Sequence, residues 1–445
     1  MATMDLEDVI EAAPFGRVSW LVLVLTTLAL VFDGFDIQAI AFAAPALIKE
    51  WAITKADLSG VLAWGLGGMA FGALVVGEIG DRFGRRGATI ISLAIIAIGT
   101  FFASRAHALH DLALWRCIAG IGLGGTLPNA TALIVEFSNR RTRNLAVAVT
   151  VVGVPVGGLL RAGLAAHIVP TYGWQAVFVI GAILPALLAA WAWWSLPESP
   201  RYLALQPGRG AALAALMNRV VGEPRYAGDE QWLVVGREAV RQGVKQLFRS
   251  EFRYNTLMIW LVFLTNVLSV YSFFNWIPTL LAGAGIPLPD AIRGSLYFNL
   301  GGVVGAVGGA WLMNRVGSRL VIGGLGAIGI LALLALAQLA WGPAVDMFVV
   351  YALMGVAGAC ISGLQVNMYT VCASAYPTHL RATGVGAGLA NARLGGILSA
   401  YTGPFLMGLG GGLMTFFNGL AAVLLLTFIA AMLMRCHVAA NTREA

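Results

Sequence analysis

Charged residues are scarce in this chain of 445 residues. Only 11% are Asp, Glu, Lys or Arg, whereas soluble domains carry roughly 25%. So few charges cannot cover a water-facing surface of this size, and this excludes a soluble globular fold. The mean hydropathy of +0.82 and the 56 glycines are instead typical of helices that pack closely in a lipid bilayer.

Patterns that would indicate catalysis or a bound cofactor are also missing. The four cysteines form no CxxC or metal-ligand spacing, and no nucleophile–base pair or metal cluster is recognisable. The stretch GIGLGG (120–125) lies inside an apolar run and belongs to no nucleotide-binding pattern. The acidic N-terminus lacks a small-residue cleavage site, so we expect no signal peptide. We expect no enzyme, no metal and no cofactor.

Long apolar runs fill most of the chain. Each is close to the roughly 20 residues that a helix needs to cross a bilayer, and none alternates as barrel strands do. Their approximate positions are 18–40, 58–79, 88–106, 112–135, 145–168, 174–196, 254–282, 292–313, 319–340, 345–374, 384–409 and 412–434. The sequence therefore predicts an all-α membrane protein with about twelve transmembrane helices.

A segment of mixed charge, residues 197–253, separates six runs from six. DRFGRR (81–86) returns 233 residues later as NRVGSR (314–319), and residues 127–143 align with 365–381 at an offset of 238. Such repeats suggest two bundles around a site at the midplane, which is transporter architecture. The predicted domains are a six-helix bundle (1–196), a cytoplasmic loop with short amphipathic helices (197–253) and a second six-helix bundle (254–445).

The net charge of +7 would suit a nucleic-acid partner, but the distribution of the basic residues argues against one. With both termini in the cytoplasm, most lysines and arginines fall on the cytoplasmic side, as the positive-inside rule requires. The basic balance therefore reports membrane topology, and the lipid bilayer is the expected surrounding. Arginine far exceeds lysine, which suggests a GC-rich bacterium and an inner-membrane location.

Several motifs resemble the major facilitator superfamily. Residues 77–86 have the pattern G-x3-D-R-x-G-R-R of its loop between helices 2 and 3, and Arg116 begins the fourth-helix pattern R-x3-G-x-G-x-G. LPESPRYL (196–203) is similar to the end of the sixth helix in many members. Four further motifs resemble the aromatic acid:proton symporter family within that superfamily: DGFD (33–36), LPNATAL (127–133), NWIPTLL (275–281) and YPTHLRATGVG (376–386).

The resemblance implies a proton-coupled, monomeric symporter that imports an aromatic carboxylic acid by alternating access between its two bundles. Benzoate, hydroxybenzoate and phenylpropionate types are the expected substrates. It also implies a cytoplasmic latch, formed by Gly77, Asp81, Arg82, Gly84, Arg85 and Arg86. The alternatives are a symporter of another organic acid or a sugar-type solute, and a sensor that binds a solute without moving it.

Two aspartates, Asp33 and Asp36, lie within the first apolar run. A charge at the bilayer centre costs at least about 2.5–3.5 kcal/mol, so their presence needs a reason. At about 1.5 Å per residue, they lie in the outer half of the run, at a depth that Arg116 of the fourth run also reaches. We expect Asp33, Asp36 and Arg116 to serve proton coupling, with Asp36 paired to Arg116 so that protonation is coupled to movement; the alternative is an ion pair that only fixes two helices.

Arg393, about ten residues into the eleventh run, is a second charge at mid-depth. A substrate carboxylate is its expected partner, because a guanidinium binds carboxylates bidentately; backbone carbonyls, Asp33 or Asp36 are alternatives. Arg161 is a weaker candidate for the same role. The remaining candidates for contact with an aromatic ring or its polar groups are Tyr271, Trp276, Tyr297, Asn129, Gln365 and Asn367; for each, helix packing is the alternative.

Overall fold

A computed structural model describes residues 3–228, 230–233 and 244–438. Almost all of the regular structure in these ranges is helical. The helices are α1 (Leu6–Ala12), α2 (Arg17–Ile37), α3 (Ala39–Glu50), α4 (Lys55–Phe83), α5 (Arg85–Ala103), α6 (Leu109–Glu136), α7 (Arg140–Ser195), α8 (Pro200–Leu205), α9 (Gly210–Val221), α10 (Ser250–Gly283), α11 (Leu288–Val316), α12 (Ser318–Ala337), α13 (Met347–Ser374), α14 (Thr378–Gly408) and α15 (Gly412–Leu433).

Ten helical segments of the described ranges are long and apolar enough to cross a membrane. One of them, α7, is 56 residues long and accounts for two spans, because Gly173 interrupts its helical backbone with φ 79°. This break falls between the predicted runs 145–168 and 174–196. The 31-residue helix α14 completes the set, and the predicted all-α membrane fold with about twelve spans is confirmed.

The first span is longer than the sequence predicted, and it is broken. The apolar run was expected to end near residue 40, but α3 continues to Glu50. The helix is interrupted at Gln38, whose φ of −89° and ψ of 5° separate α2 from α3. The two aspartates therefore occupy the last two turns of α2, next to the break.

The central segment contains the short helices α8 and α9 and a 3-10 turn at Val244–Phe248. One further element, a pair of short strands, was not predicted from the sequence. Strand β1 (Thr3–Asp5) pairs in parallel with β2 (Gln231–Leu233), with Met4 opposite Trp232. The N-terminus is thereby tied to the central segment. Leu6 and Ile10 of α1 are buried in an apolar cluster with Met217 of α9.

The chain forms two compact units, and neither is a continuous stretch. One comprises Met1–Ile37, Gly67–Gly157 and Phe178–Ala239; the other comprises Gln38–Leu66, Gly158–Val177 and Val240–Ala445. Helices α2 and α3 therefore belong to different units, and α4 and α7 are each shared between them. The division into six-helix bundles at 1–196 and 254–445 stays a prediction.

The sequence repeat has a counterpart in helix packing. In one unit, a Cβ at Gly68 of α4 would overlap the Cys117 carbonyl of α6; in the other, a Cβ at Gly301 of α11 would overlap the Gly355 carbonyl of α13. These residues are related by the offsets of 233 and 238 read from the sequence. Only glycine permits such close helix contact.

The same offsets relate a second pair of helix crossings. A Cβ at Gly157 of α7 would meet the backbone of Val31 in α2, and a Cβ at Gly395 of α14 would meet the backbone of Leu264 in α10. Each half therefore repeats the same crossings, and residues at matching offsets hold matching places. By this rule Asn266 of α10 holds the place that Asp33 holds in α2.

Candidate functional site

The expected ion pair between α2 and α6 is formed. Arg116 Nη1 donates to Asp36 Oδ2 at 2.6 Å, and the two side chains are 5% and 0% exposed. Thr100 of α5 donates its hydroxyl to the other carboxylate oxygen at 2.9 Å. Both oxygens of Asp36 thus have donors, which a buried carboxylate requires.

The break at Gln38 gives the arginine a second acceptor. Carbonyls in the last turn of a helix have no partner within that helix, and Arg116 Nη2 donates to the Asp36 carbonyl at 3.2 Å. A cation at a helix C-terminus also interacts favourably with the helix dipole. Arg116 lies over the ring of Phe178 as well, 5.9 Å from its centroid. Asp33, one turn earlier, is buried.

Beyond the break, the first span is held by a pair of amides. Gln38 Nε2 donates to Asn299 Oδ1 of α11 at 3.0 Å, and Asn299 Nδ2 donates back to Gln38 Oε1 at 3.2 Å. Both side chains are buried. Gly158 adjoins them, and a Cβ there would be 2.5 Å from Gln38 Nε2. Phe42, one turn along α3, lies in an apolar cluster with Ile292 of α11.

The residues of the predicted latch lie together between α4 and α5. Asp81 accepts from Arg85, and Arg85 Nη1 also donates to Asn129 Oδ1 of α6 at 3.3 Å. Arg86 donates to the carbonyl of Trp193. Arg82 forms an exposed ion pair with Glu78 at 2.7 Å. The two arginines that end the motif therefore tie α5 to α4, α6 and α7.

Two glycines of the latch differ in what they require. Gly84 begins α5 with φ 103°, a conformation that favours glycine. A Cβ at this position would be 2.8 Å from the carboxyl carbon of Glu198. At Gly77, a Cβ would meet nothing within 4 Å among the described residues. Packing therefore explains Gly84, and it does not explain Gly77.

Glu198, within the motif LPESPRYL, contacts the latch and was not among the residues predicted from the sequence. Its Oε1 accepts from the backbone N–H of Arg86 at 3.1 Å, in the first turn of α5. A carboxylate at a helix N-terminus satisfies a free N–H and the helix dipole. The next residue, Ser199, donates to Glu136 at the end of α6. The end of the sixth span is therefore joined to the latch.

The two arginines considered for substrate binding differ in burial. Arg393 is half-buried and lies at the midpoint of α14, as expected from its run. Arg161 of α7 has no exposed surface, so it does not reach the interface as the sequence allowed. Asn391, two residues before Arg393, donates to the Trp260 carbonyl of α10 at 2.6 Å. This bond fixes α14 against α10 beside Arg393.

The three aromatic candidates lie in different surroundings. Trp276 is fully buried, and its indole N–H donates to the Ser399 carbonyl of α14 at 3.0 Å, so packing between α10 and α14 accounts for it. Tyr297 is 38% exposed and stacks on Tyr351. Tyr271 is half-buried and contacts the edge of Phe274. Tyr271 also packs against an apolar cluster that includes Val267.

The amide candidates divide in the same way. Asn129 is fully buried and donates to the Val76 carbonyl of α4 at 3.2 Å. Asn367 is also buried and donates to the Gly363 carbonyl of its own helix at 2.8 Å. Helix packing explains both. Gln365 is half-buried and bonds to two polar side chains, Asn266 at 2.8 Å and Tyr369 at 3.3 Å.

Comparison with known proteins identifies the family and the fold. The model of the Major Facilitator Superfamily matches residues 26–400. Two solved structures of this fold superpose on most of the chain. The D-xylose–proton symporter has a TM-score of 0.70 at 16% identity, covering 96% of this chain and 100% of that one. The inward-open xylose transporter XylE of Escherichia coli has a TM-score of 0.72 at 16% identity, covering 94% and 97%.

Relatives of higher sequence identity are aromatic acid transporters by name. The 4-hydroxybenzoate transporter PcaK of Pseudomonas putida is 36% identical over 92% of this chain and 90% of its own length. The gallate transporter of the same species is 32% identical, covering 94% and 92%. The benzoate transport protein of Acinetobacter baylyi is 30% identical, covering 91% and 86%. The chain therefore belongs to the major facilitator superfamily and, within it, to the aromatic acid:proton symporter family.

Proposed function

We propose that this protein is a proton-coupled symporter that imports an aromatic carboxylic acid across the bacterial inner membrane. The observation that carries the coupling is the buried contact of Asp36 with Arg116 and Thr100 beside the broken helix. Burial disfavours the charged form of a carboxylate, and a nearby cation favours it. Separating Asp36 from Arg116 therefore favours uptake of a proton, so movement and protonation are linked.

The relatives named for 4-hydroxybenzoate, gallate and benzoate support the aromatic acid as substrate. Arg393 supplies the charge that such a substrate requires, because it is a cation at the middle of a span and is partly accessible. Its planar guanidinium matches a carboxylate with two parallel hydrogen bonds. The distribution of basic residues favours cytoplasmic termini, and we expect the protein to act as a monomer without a cofactor.

The latch residues fit a separate role in this cycle. Arg85 and Glu198 link the start of α5 to α4, α6 and the segment after α7. These contacts are polar and only partly buried, so they can open and re-form at little cost. Asp81 therefore affects the rate of the conformational change rather than the affinity for substrate.

Uptake into proteoliposomes tests the substrate class. Labelled 4-hydroxybenzoate should be displaced by unlabelled benzoate and gallate, and neither xylose nor 4-hydroxybenzamide should compete. Competition by xylose would favour a sugar porter. Binding without uptake would favour a solute sensor, and competition by aliphatic acids alone would favour a different organic acid.

Two variants of Arg393 test its contact with the carboxylate. Arg393→Lys keeps the charge and loses the planar fork, so it should weaken binding, and Arg393→Ala should lose about 2–5 kcal/mol of binding free energy. The wild type should prefer the acid to its neutral amide, and Arg393→Ala should lose most of that preference. If the Ala variant discriminates as well as the wild type, the carboxylate is bound elsewhere, and Arg161 becomes the next candidate.

A further inference from the structure

A chain of polar side chains crosses between α10 and α13 at mid-depth. Asn266 lies at the middle of α10 and has no exposed surface. Its Nδ2 donates to the Ile361 carbonyl at 3.2 Å and to Gln365 Oε1 at 2.8 Å. Gln365 Nε2 in turn donates to Tyr369 Oη at 3.3 Å. Each residue thereby orients the next.

Within the ranges that the structure describes, the three polar side chains Asn266, Gln365 and Tyr369 retain free hydrogen-bonding groups. Asn266 Oδ1 is buried and has no hydrogen-bond partner among the described residues. Tyr369 accepts from Gln365, and its O–H donates to no side chain or carbonyl in the described part of the protein. A neutral amide carries two donor hydrogens and an acceptor oxygen with two lone pairs. The chain therefore offers spare donors and a spare acceptor, and it carries no charge.

Gln365 and Tyr369, the two members that belong to α13, lie on the inward side of that helix. Val356 is 40% exposed and marks the outer face of the helix. Gln365 follows nine residues later, which is a rotation of about 180° at 3.6 residues per turn. Gln365 and Tyr369 are nevertheless half-buried rather than buried. Their accessible surface therefore lies on the side of the helix opposite the exposed one.

A group that both donates and accepts a hydrogen bond, and that has no charge, matches this arrangement. A hydroxyl accepts from Tyr369 or Gln365 and donates to an amide oxygen. A carboxylate only accepts, so it would leave the second lone pair of Gln365 Oε1, which already accepts from Asn266, without a donor. The tilted contact of the Tyr369 ring with that of Phe263, with centroids 5.5 Å apart, holds the phenol in position. The half-buried surface of Gln365 and Tyr369 distinguishes them from Asn129 and Asn367, whose buried amides are explained by helix packing.

We propose that Gln365 and Tyr369 bind a ring hydroxyl of the substrate, with Asn266 as the residue that positions Gln365. This inference rests on the proposed import of an aromatic acid and narrows it to hydroxylated rings. Arg393 would then bind the carboxylate of the substrate, and Gln365 and Tyr369 would bind its ring hydroxyl. Sites built to bond a hydroxyl discriminate against analogues that lack it.

Calorimetric binding of a series of ligands to the purified protein tests the proposed hydroxyl contact without any variant. At least one of the three monohydroxybenzoates should bind about tenfold more tightly than benzoate, and its methoxy counterpart should lose that advantage. The methoxy group keeps the acceptor oxygen and lacks the proton, so this comparison needs no variant. Equal affinity for benzoate and all three hydroxy isomers would overturn the proposal.

Variants then assign the effect to residues. Tyr369→Phe and Gln365→Met should reduce the affinity for the preferred hydroxy acid about three- to tenfold and leave that for benzoate unchanged. Thr427→Val is the matched control, because it removes a buried hydrogen bond between α15 and α10, Thr427 to Thr265 at 2.8 Å, and should keep the wild-type preference. An unchanged preference in both test variants would refute the assignment. Failure of the wild type to bind any of these acids would instead refute the proposed function.

Discussion

The ion pair between Asp36 and Arg116 can be tested by removing its members singly and together. The pair is nearly free of solvent, with side chains 0% and 5% exposed. Asp36→Asn leaves a buried guanidinium without its counter-ion, and Arg116→Gln leaves a buried carboxylate without its own. Each single change should therefore cost about 3–5 kcal/mol of unfolding free energy. That is a large part of the roughly 5–15 kcal/mol that holds a typical protein folded.

The double variant Asp36→Asn/Arg116→Gln should lose less unfolding free energy than the sum of the losses in the two single variants. No buried charge is left unpaired in it, and two amides of similar size take the place of the ions. Contacting residues deviate from additivity by about 0.5–3 kcal/mol, and we expect the upper part of this range. Arg293→Gln is the control, because its pair with Asp290 is 50% and 28% exposed. It should cost at most about 1 kcal/mol.

Transport by the wild type, the two single variants and the double variant distinguishes a role of the pair in proton coupling from a purely structural role. If the pair only clamps two helices, the double variant regains both stability and uphill accumulation. If Asp36 carries the coupled proton, the double variant regains stability and exchanges labelled for unlabelled substrate, but it accumulates nothing against a gradient. Chemical denaturation in detergent and uptake by proteoliposomes supply the two measurements. Uphill accumulation by the double variant would refute proton coupling at this site.

Three further predictions concern other parts of the molecule. Asp81→Asn should slow uptake severalfold and leave the substrate affinity near that of the wild type, because the bond to Arg85 belongs to the latch; a large loss of affinity in calorimetry would contradict this. Asn299→Ala should lower the unfolding free energy by about 1–3 kcal/mol, since it leaves the buried Gln38 amide unpaired, and thermal unfolding checks this. Burial and the nearby Arg319 lower the pKa of His437 from 6.5, so the contact of this tail residue with Ser318 is stabilised above pH 6.5 and lost as the pH falls. Limited proteolysis of the tail should then be faster at about pH 5.5 than at about pH 7.5, and His437→Gln should remove the difference.

Features that depend on composition and local pattern could be predicted from the sequence. The apolar runs identified the spans, because a bilayer demands length and hydropathy and little else. The offsets of 233 and 238 predicted which residues correspond, and the contacts of Gly68 and Gly301 follow them. The pairing of Asp36 with Arg116 could be anticipated because few charges lie inside spans and each needs a partner.

Features that depend on long-range contacts could not be predicted from the sequence. Nothing in the run 18–40 marks Gln38 as the site of a break, because the reason lies in α6 and α11, whose Arg116 and Asn299 bind the residues around it. Asn129 and Trp276 looked like substrate contacts, and helix packing accounts for both. The strand pair Thr3–Asp5 with Gln231–Leu233 joins segments more than 200 residues apart, and three-residue strands carry almost no local signal.

Accumulation driven by an imposed proton gradient is the direct test of proton-coupled import through Asp36. Proteoliposomes that hold the purified protein at alkaline internal pH are diluted into acidic buffer with labelled 4-hydroxybenzoate at equal total concentration inside and outside. A protonophore control is run beside them, and free diffusion of the undissociated acid is subtracted using protein-free vesicles. We expect net inward movement of the labelled acid above that background, abolished by the protonophore and by Asp36→Asn. Accumulation that persists unchanged in Asp36→Asn, or uptake that never exceeds the protein-free background, would contradict it.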